Sequence, residues 1–368
     1  MVSNKYCFLL VLFFCLFFSC EKQNNAEGEN RDGFDRSSLL SNWADNIIIP
    51  AYDNFYNSLL ELDESANSFV AEPNIQLLQN LSEDWLNAYR IWQHIEMFDI
   101  GLAEVVNYKG KMNIYPTDMD LIIQNIASGN YDLNNNNNFD ARGFPALDYM
   151  LHGLAQNEDE IVSIYLSDSG YSSYLSDLVT TMLYNTNIII EDWDTYRDDF
   201  VSSTDNTATS SMNKMTNDFI YYFEKGLRAN KIGIPAGIFS PDPLPTTVEA
   251  YYKKDVSKDL ASEALLASKN FFSGKYYDSV IYGESLNTYL DATPNSSKNN
   301  LSELILSQFN QAESELSQLN NNFVYQIETD NTQMLYAYDA IQLLVGSFKV
   351  DMLQALAISV DYVDADGD

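Results

Sequence analysis

Residues 40–62 read LSNWADNIIIPAYDNFYNSLLEL, and in them Leu40, Trp43, Ile47, Ala51, Phe55, Leu59 and Leu62 recur at steps of three and four. That spacing lines apolar side chains along one face of a helix, which must be buried against a neighbour. Pro50 falls inside the stripe. It has no N–H to donate and its ring crowds the preceding turn, so the helix is expected to kink or restart there. Trp85, Ala88, Trp92, Ile95 and Phe98 form a second stripe, and Leu335, Tyr338, Ile341, Val345, Phe348, Met352 and Leu356 a third. No long alternating pattern of the strand type accompanies them, so the fold class is all-α, built of packed helical bundles.

Working outward, two polar stretches interrupt the helical pattern: 130–143 (NYDLNNNNNFDARG) and 201–211 (VSSTDNTATSS). A third, GIPAGIFSPDPLP at 233–245, is rich in Gly and Pro and reads as an ordered crossing between helices. The expected organisation is two helical bundle-like domains packed against each other, residues 37–200 and 212–368, with 201–211 linking them.

The amino end assigns the compartment. Lys5 precedes an apolar run, FLLVLFFCLFF, from Phe8 to Phe18. A bilayer-spanning helix needs about 20 apolar residues, so this run reads as the core of a signal peptide. Phe17-Phe18-Ser19-Cys20 resembles a lipobox, which makes residues 1–19 the signal peptide and Cys20 the lipidated first residue of the mature chain. Residues 20–36 are polar and read as a flexible tether. The expected location is the bacterial cell envelope, lipid-anchored to a membrane. Cys7 and Cys15 lie in the removed segment, so neither a disulfide nor a cysteine nucleophile is expected. With 53 Asp and Glu against 20 Lys and Arg, the chain carries a net charge of −33. Such a charge repels nucleic acid and raises the local concentration of cations.

Several segments resemble the imelysin family, its lipoprotein members in particular. RGFPALDYML (142–151) stands where that family carries its Gly-x-His-x-x-Glu signature, and NWADNIIIPAYDNF (42–55), WQHIEMFDIG (92–101), KIGIPAGIFS (231–240), VEAYY (248–252) and the ending FKVDMLQALAISVDYVDADGD (348–368) follow in the family's order. The resemblance implies two facing helical bundles with the signature near their junction. It also implies a binding role linked to iron uptake, the peptidase activity for which the family is named, and the signature His and Glu as metal ligands. This sequence departs at both ligand positions: Pro145 stands for the His and Asp148 for the Glu. Proline offers no ligand atom, and the aspartate is one methylene shorter.

The remaining chemistry is sparse, since His94 and His152 are the only histidines. No His-Glu-x-x-His motif occurs, which weighs against a zinc peptidase. Asp148 and His152 are spaced i,i+4 and share a helix face, a candidate substitute metal pair. The plainer reading gives His152 a packing role. Glu96 and Asp99, three apart, read as a solvated acidic face. Asp132-x-Asn134-x-Asn136 opens like a calcium loop, but Asn137 and Gly143 replace its glycine and its closing glutamate. Gly143 permits an unusual backbone angle, and Pro145 suits the start of a helix.

The sequence therefore predicts a ligand site between the domains at Arg142, Gly143, Pro145, Asp148, Tyr149 and His152, with Asp148 and His152 as candidate metal ligands. The leading expectation is an envelope binding protein for iron or another divalent metal, or a metal complex. The alternatives are an imelysin-type metallopeptidase and a non-catalytic interaction component of an outer-membrane uptake complex.

Overall fold

The computed structural model describes residues 33–293 and 300–360. The expected signal peptide, Cys20 and the acidic residues Asp364, Asp366 and Asp368 lie outside them. Among the described residues the fold is all-α, the single β pairing being a bridge between Lys275 and Tyr282.

The decisive stripe is buried throughout: Leu40, Trp43, Ala51, Phe55, Leu59 and Leu62 are fully enclosed and Ile47 nearly so. Asn42–Ile48 is wound as a π-helix, in which the Ile49 N–H reaches back to the Ala44 carbonyl, and helix α1 (Ile49–Ala71) starts immediately after it. Pro50 thereby falls in the first turn of α1, where its missing N–H costs nothing. Helix α2 (Ile75–Trp92) begins on Asn74, whose side chain accepts from the Leu77 N–H, and ends at Trp92. Residues 93–97 are turns, so Ile95 and Phe98 of the second stripe are buried from a non-helical segment rather than from one continuous helix.

Further along come the short α3 (Gly143–Asp148), the long α4 (Ser169–Ser202), α5 (Ser211–Tyr221) continuing as a π-helix over Tyr222–Gly233, α6 (Ser257–Ser273), α7 (Leu301–Ser317) and α8 (Phe323–Gly346). One group forms where α1 packs against α2 and α4. Another forms where α8 packs against α7 and the Tyr222–Gly233 helix, with α6 contacting α7 and reaching back to α2. From Phe34 onward the chain is one compact unit around a continuous apolar core.

Composition misreads the end of the tether. Phe34 and Arg36, expected in the tether, belong to the folded body. The Phe34 ring stacks on Tyr289 at 4.2 Å, and the Arg36 guanidinium donates to the Tyr289 hydroxyl at 2.7 Å. The polar stretch 201–211 is ordered as well: its first two residues complete α4, and the Ser211 N–H donates to Ser203 Oγ as α5 begins. Short polar side chains bond to nearby backbone there. Among the described residues no helix is long and apolar enough to cross a membrane.

Phe55 is fully buried, with its ring centroid 5.6 Å from Trp92 and 6.1 Å from Phe144. Phe55→Ala is expected to lower the unfolding free energy by about 3–5 kcal/mol in denaturant titration, the cost of removing a large core side chain.

Candidate functional site

The turn into α3 is fixed by close backbone packing. Arg142 is extended and buried, and its guanidinium donates to the Leu133 carbonyl at 2.7 Å and the Gly110 carbonyl at 3.2 Å. Gly143 has φ +71°, and a Cβ there would come within 2.1 Å of the Met112 carbonyl oxygen. Only glycine satisfies both conditions. Pro145 lies buried in the first turn of α3.

Asp148 closes α3 and points across the chain. It is 2% exposed, and its two carboxylate oxygens accept from the backbone N–H groups of Tyr252 (2.8 Å) and Lys253 (2.9 Å). The sequence-predicted pair does form: His152 Nδ1 lies 3.1 Å from Asp148 Oδ1. Its other nitrogen is 2.8 Å from Ser82 Oγ, which also accepts from Lys253 Nζ at 3.1 Å. Tyr149 adds a ring contact to Tyr252 at 5.1 Å. The assembly is a clasp joining α2, α3 and residues 252–253. Ser82, His152 and Asp148 stand in the order of a nucleophile triad, but Ser82 is buried in mid-helix and its hydroxyl is engaged by two partners. Every polar atom the substitute metal pair would offer already has a protein partner. Among the described residues no three His, Cys, Asp or Glu side chains converge as a metal-ligand set. In the calcium-like loop Asp132 Oδ1 accepts from the Asn134 N–H, and Asn134 Oδ1 accepts from Asn185 of α4.

A second constellation lies next to the turn. Tyr89 stacks on Phe144 of α3 at 4.3 Å, and its hydroxyl donates to Asn113 Oδ1 at 2.6 Å. The Asn113 amide donates in turn to two carboxylates, Glu96 (3.0 Å) and Glu249 (2.9 Å). Between them sits Lys231, 2.7 and 2.8 Å from the Glu249 oxygens and 3.5 Å from Glu96. Lys231 and Glu249 are 1% and 2% exposed. Gln93, fully buried, donates to Glu249 at 3.4 Å. Burial raises the Glu96 carboxyl above the usual carboxylate range; Lys231 opposes that shift and Glu249 adds to it. Trp92 and Tyr222 turn an N–H and an O–H toward the same carboxylate. Neither donor, nor Glu96 Oε2, has a hydrogen-bond partner.

Above Glu96 opens a cavity of about 230 Å³. Asn113, Tyr222, Asp99, Lys109, Asp218, Tyr221 and Lys225 line it with Glu96. Lys109 pairs with Asp99 at 2.5 Å and lies over the Tyr221 ring. This acidic pair of the sequence is thus split: Asp99 belongs to the wall and Glu96 to the floor. His94 points elsewhere, to Glu263 at 3.0 Å, and that hydrogen bond holds the Glu263 carboxyl below its usual range.

The imelysin family model matches residues 48–348. The chain belongs to the imelysin family. Two solved structures share the imelysin-like architecture. An imelysin-like protein from Psychrobacter arcticum 273-4 is 18% identical, with 89% of this chain and 97% of that one aligned and a TM-score of 0.69. A protein described as an iron-regulated protein A precursor, from Parabacteroides distasonis ATCC 8503, is 16% identical over 89% of this chain and 96% of that one, with a TM-score of 0.65. At such identities the likeness shows the fold alone. No curated protein matches the chain. Glu96, Lys231 and Glu249 each stand inside a segment that resembles the imelysin family, which is the signal that points to them. Glu96 by itself reads as one more surface acid of a very acidic chain.

Three outcomes are expected at the site. Asp148→Ala leaves two backbone N–H groups without an acceptor and is expected to cost about 2–4 kcal/mol in denaturant titration. His152→Ala is expected to give the same calorimetric titration with zinc(II) as wild type, because both ring nitrogens are already engaged within the clasp. For Glu96, the folded pKa lies above the unfolded value of 4.5. Folding therefore favours its protonated form, and stability falls as pH rises from 4.5 through the folded pKa. Glu96→Gln removes that loss: its Tm at pH 8 exceeds that of wild type, and its Tm changes less between pH 5 and 8.

Proposed function

We propose that this imelysin-family chain is an envelope binding protein that captures a small metal complex, of the kind used in iron acquisition, in the cavity over Glu96. The observation that carries this reading is a buried acceptor and a buried donor without hydrogen-bond partners, Glu96 Oε2 and Tyr222 OH, on two residues that line a cavity of about 230 Å³. Buried polar atoms normally have partners, so a group of orphans beside a cavity marks where a ligand supplies the missing hydrogen bonds. Donors and acceptors are mixed there, with Lys109 and Lys225 among the lining residues. That mixture suits a metal already wrapped in oxygen ligands better than a bare ion, which needs a convergent set of ligand oxygens. The fold shared with a protein described as iron-regulated supports the iron connection, and the lipobox at Cys20 supports an envelope location. Hydrolysis is disfavoured, because the clasp around Asp148 and His152 holds no open ligand position.

The test is calorimetric titration with ferric citrate. Saturable binding at one site per chain is expected, weakened at least tenfold in Glu96→Gln. Absence of binding to wild type, or equal affinity in the variant, removes this reading.

A further inference from the structure

The charged cluster under the cavity has a property that the binding reading does not use. Two carboxylates, Glu96 and Glu249, face one another across a single cation, and that cation is the chain's own Lys231. Lys231 Nζ contacts both Glu249 oxygens and lies 3.5 Å from Glu96 Oε2. One further oxygen borders the cluster without a hydrogen-bond partner, the hydroxyl of Tyr222, which faces Glu96, while the fully buried Gln93 turns its amide nitrogen to Glu249. Carboxylate and hydroxyl oxygens are among the ligands that hard divalent cations take.

We infer that Glu96, Glu249 and Tyr222 form a divalent-cation site whose resident cation is the Lys231 ammonium, and that Lys231 is the residue that keeps free metal ions out of this protein. The charges support the assignment. Two carboxylates and one ammonium leave one negative charge, whereas a divalent ion in the ammonium's place would leave none. What bars the exchange is covalent attachment: the ammonium is 1% exposed and cannot leave its carboxylates without breaking two short ion contacts in a dry setting. Lys231 is anchored on the π-helix Tyr222–Gly233, so its backbone is not free to withdraw. A tethered cation of this kind would let the cavity above select an intact metal complex in an envelope where free divalent ions are plentiful.

The inference deepens the binding reading and rests on the same Glu96, but the two fail separately, since one is tested with ferric citrate on wild type and the other with a bare ion on a Lys231 variant. Manganese(II) chloride is the probe. In Lys231→Ala, millimolar Mn²⁺ is expected to raise Tm by about 5 °C, the scale set by ligand linkage for a chain of this size. Calorimetry should give one site per chain in that variant and none in wild type. Lys231→Ala combined with Glu249→Gln should lose the site. Should Lys231→Ala be unfolded without metal, recovery of its far-UV circular dichroism on adding Mn²⁺ supports the assignment, and failure to recover overturns it. It is also overturned if the folded variant binds no Mn²⁺, or if wild type and the double variant show the same shift as the single one.

Discussion

The ion pair between Lys231 and Glu249 holds two charges, 1% and 2% exposed, at 2.7 Å inside the molecule. Removing both from water is expensive, and their attraction offsets that only with good geometry and further hydrogen bonds. Both conditions are met. Asn113 and Gln93 donate to Glu249, and Tyr89 fixes Asn113 while stacking on Phe144 of α3. The pair thus ties the π-helix Tyr222–Gly233 to the loop at Glu249 and, through Asn113 and Tyr89, to α2 and the turn at Gly143. Breaking it on one side strands a buried charge on the other, so the elements around the cavity are held in one arrangement.

The Asp148 clasp does the same work with a different chemistry. In the family signature the position of Asp148 is a proposed metal ligand; here its oxygens are spent on the N–H groups of Tyr252 and Lys253, three and four residues beyond Glu249. The turn keeps its shape because Gly143 lies against Met112 and Arg142 grips two carbonyls. The binding capacity proposed for the chain then rests on Glu96 and its neighbours.

The fold was legible because helix periodicity is local. Leu40 to Leu62 announces its buried face without knowledge of what covers it, and Pro50 announces the restart at Ile49. The turn was legible from Gly143 and Pro145, whose backbone preferences are intrinsic. The pairing of Asp148 with His152 was legible from its i,i+4 spacing, although not what else would occupy their atoms. Glu96 was not. Its burial comes from Tyr222, Lys231 and Glu249, more than a hundred residues away in sequence, and no local pattern carries that information. The tether was misjudged at Phe34 and Arg36 for the same reason, since their partner Tyr289 is equally remote. Charge count misled in a related way: in a chain of net charge −33 each acid looks like solvated surface, and the few that are enclosed do not stand out.

The account turns on one buried cation organising two carboxylates, and a double-mutant cycle between Lys231 and Glu249 measures that directly. With Lys231→Met, Glu249→Gln and the combined variant compared by denaturant unfolding, the predicted coupling is about 2 kcal/mol or more, the pair of changes being far less damaging than the sum of the singles. A coupling near zero, with the two losses simply adding, would show that the charges do not act as a unit and would contradict the account.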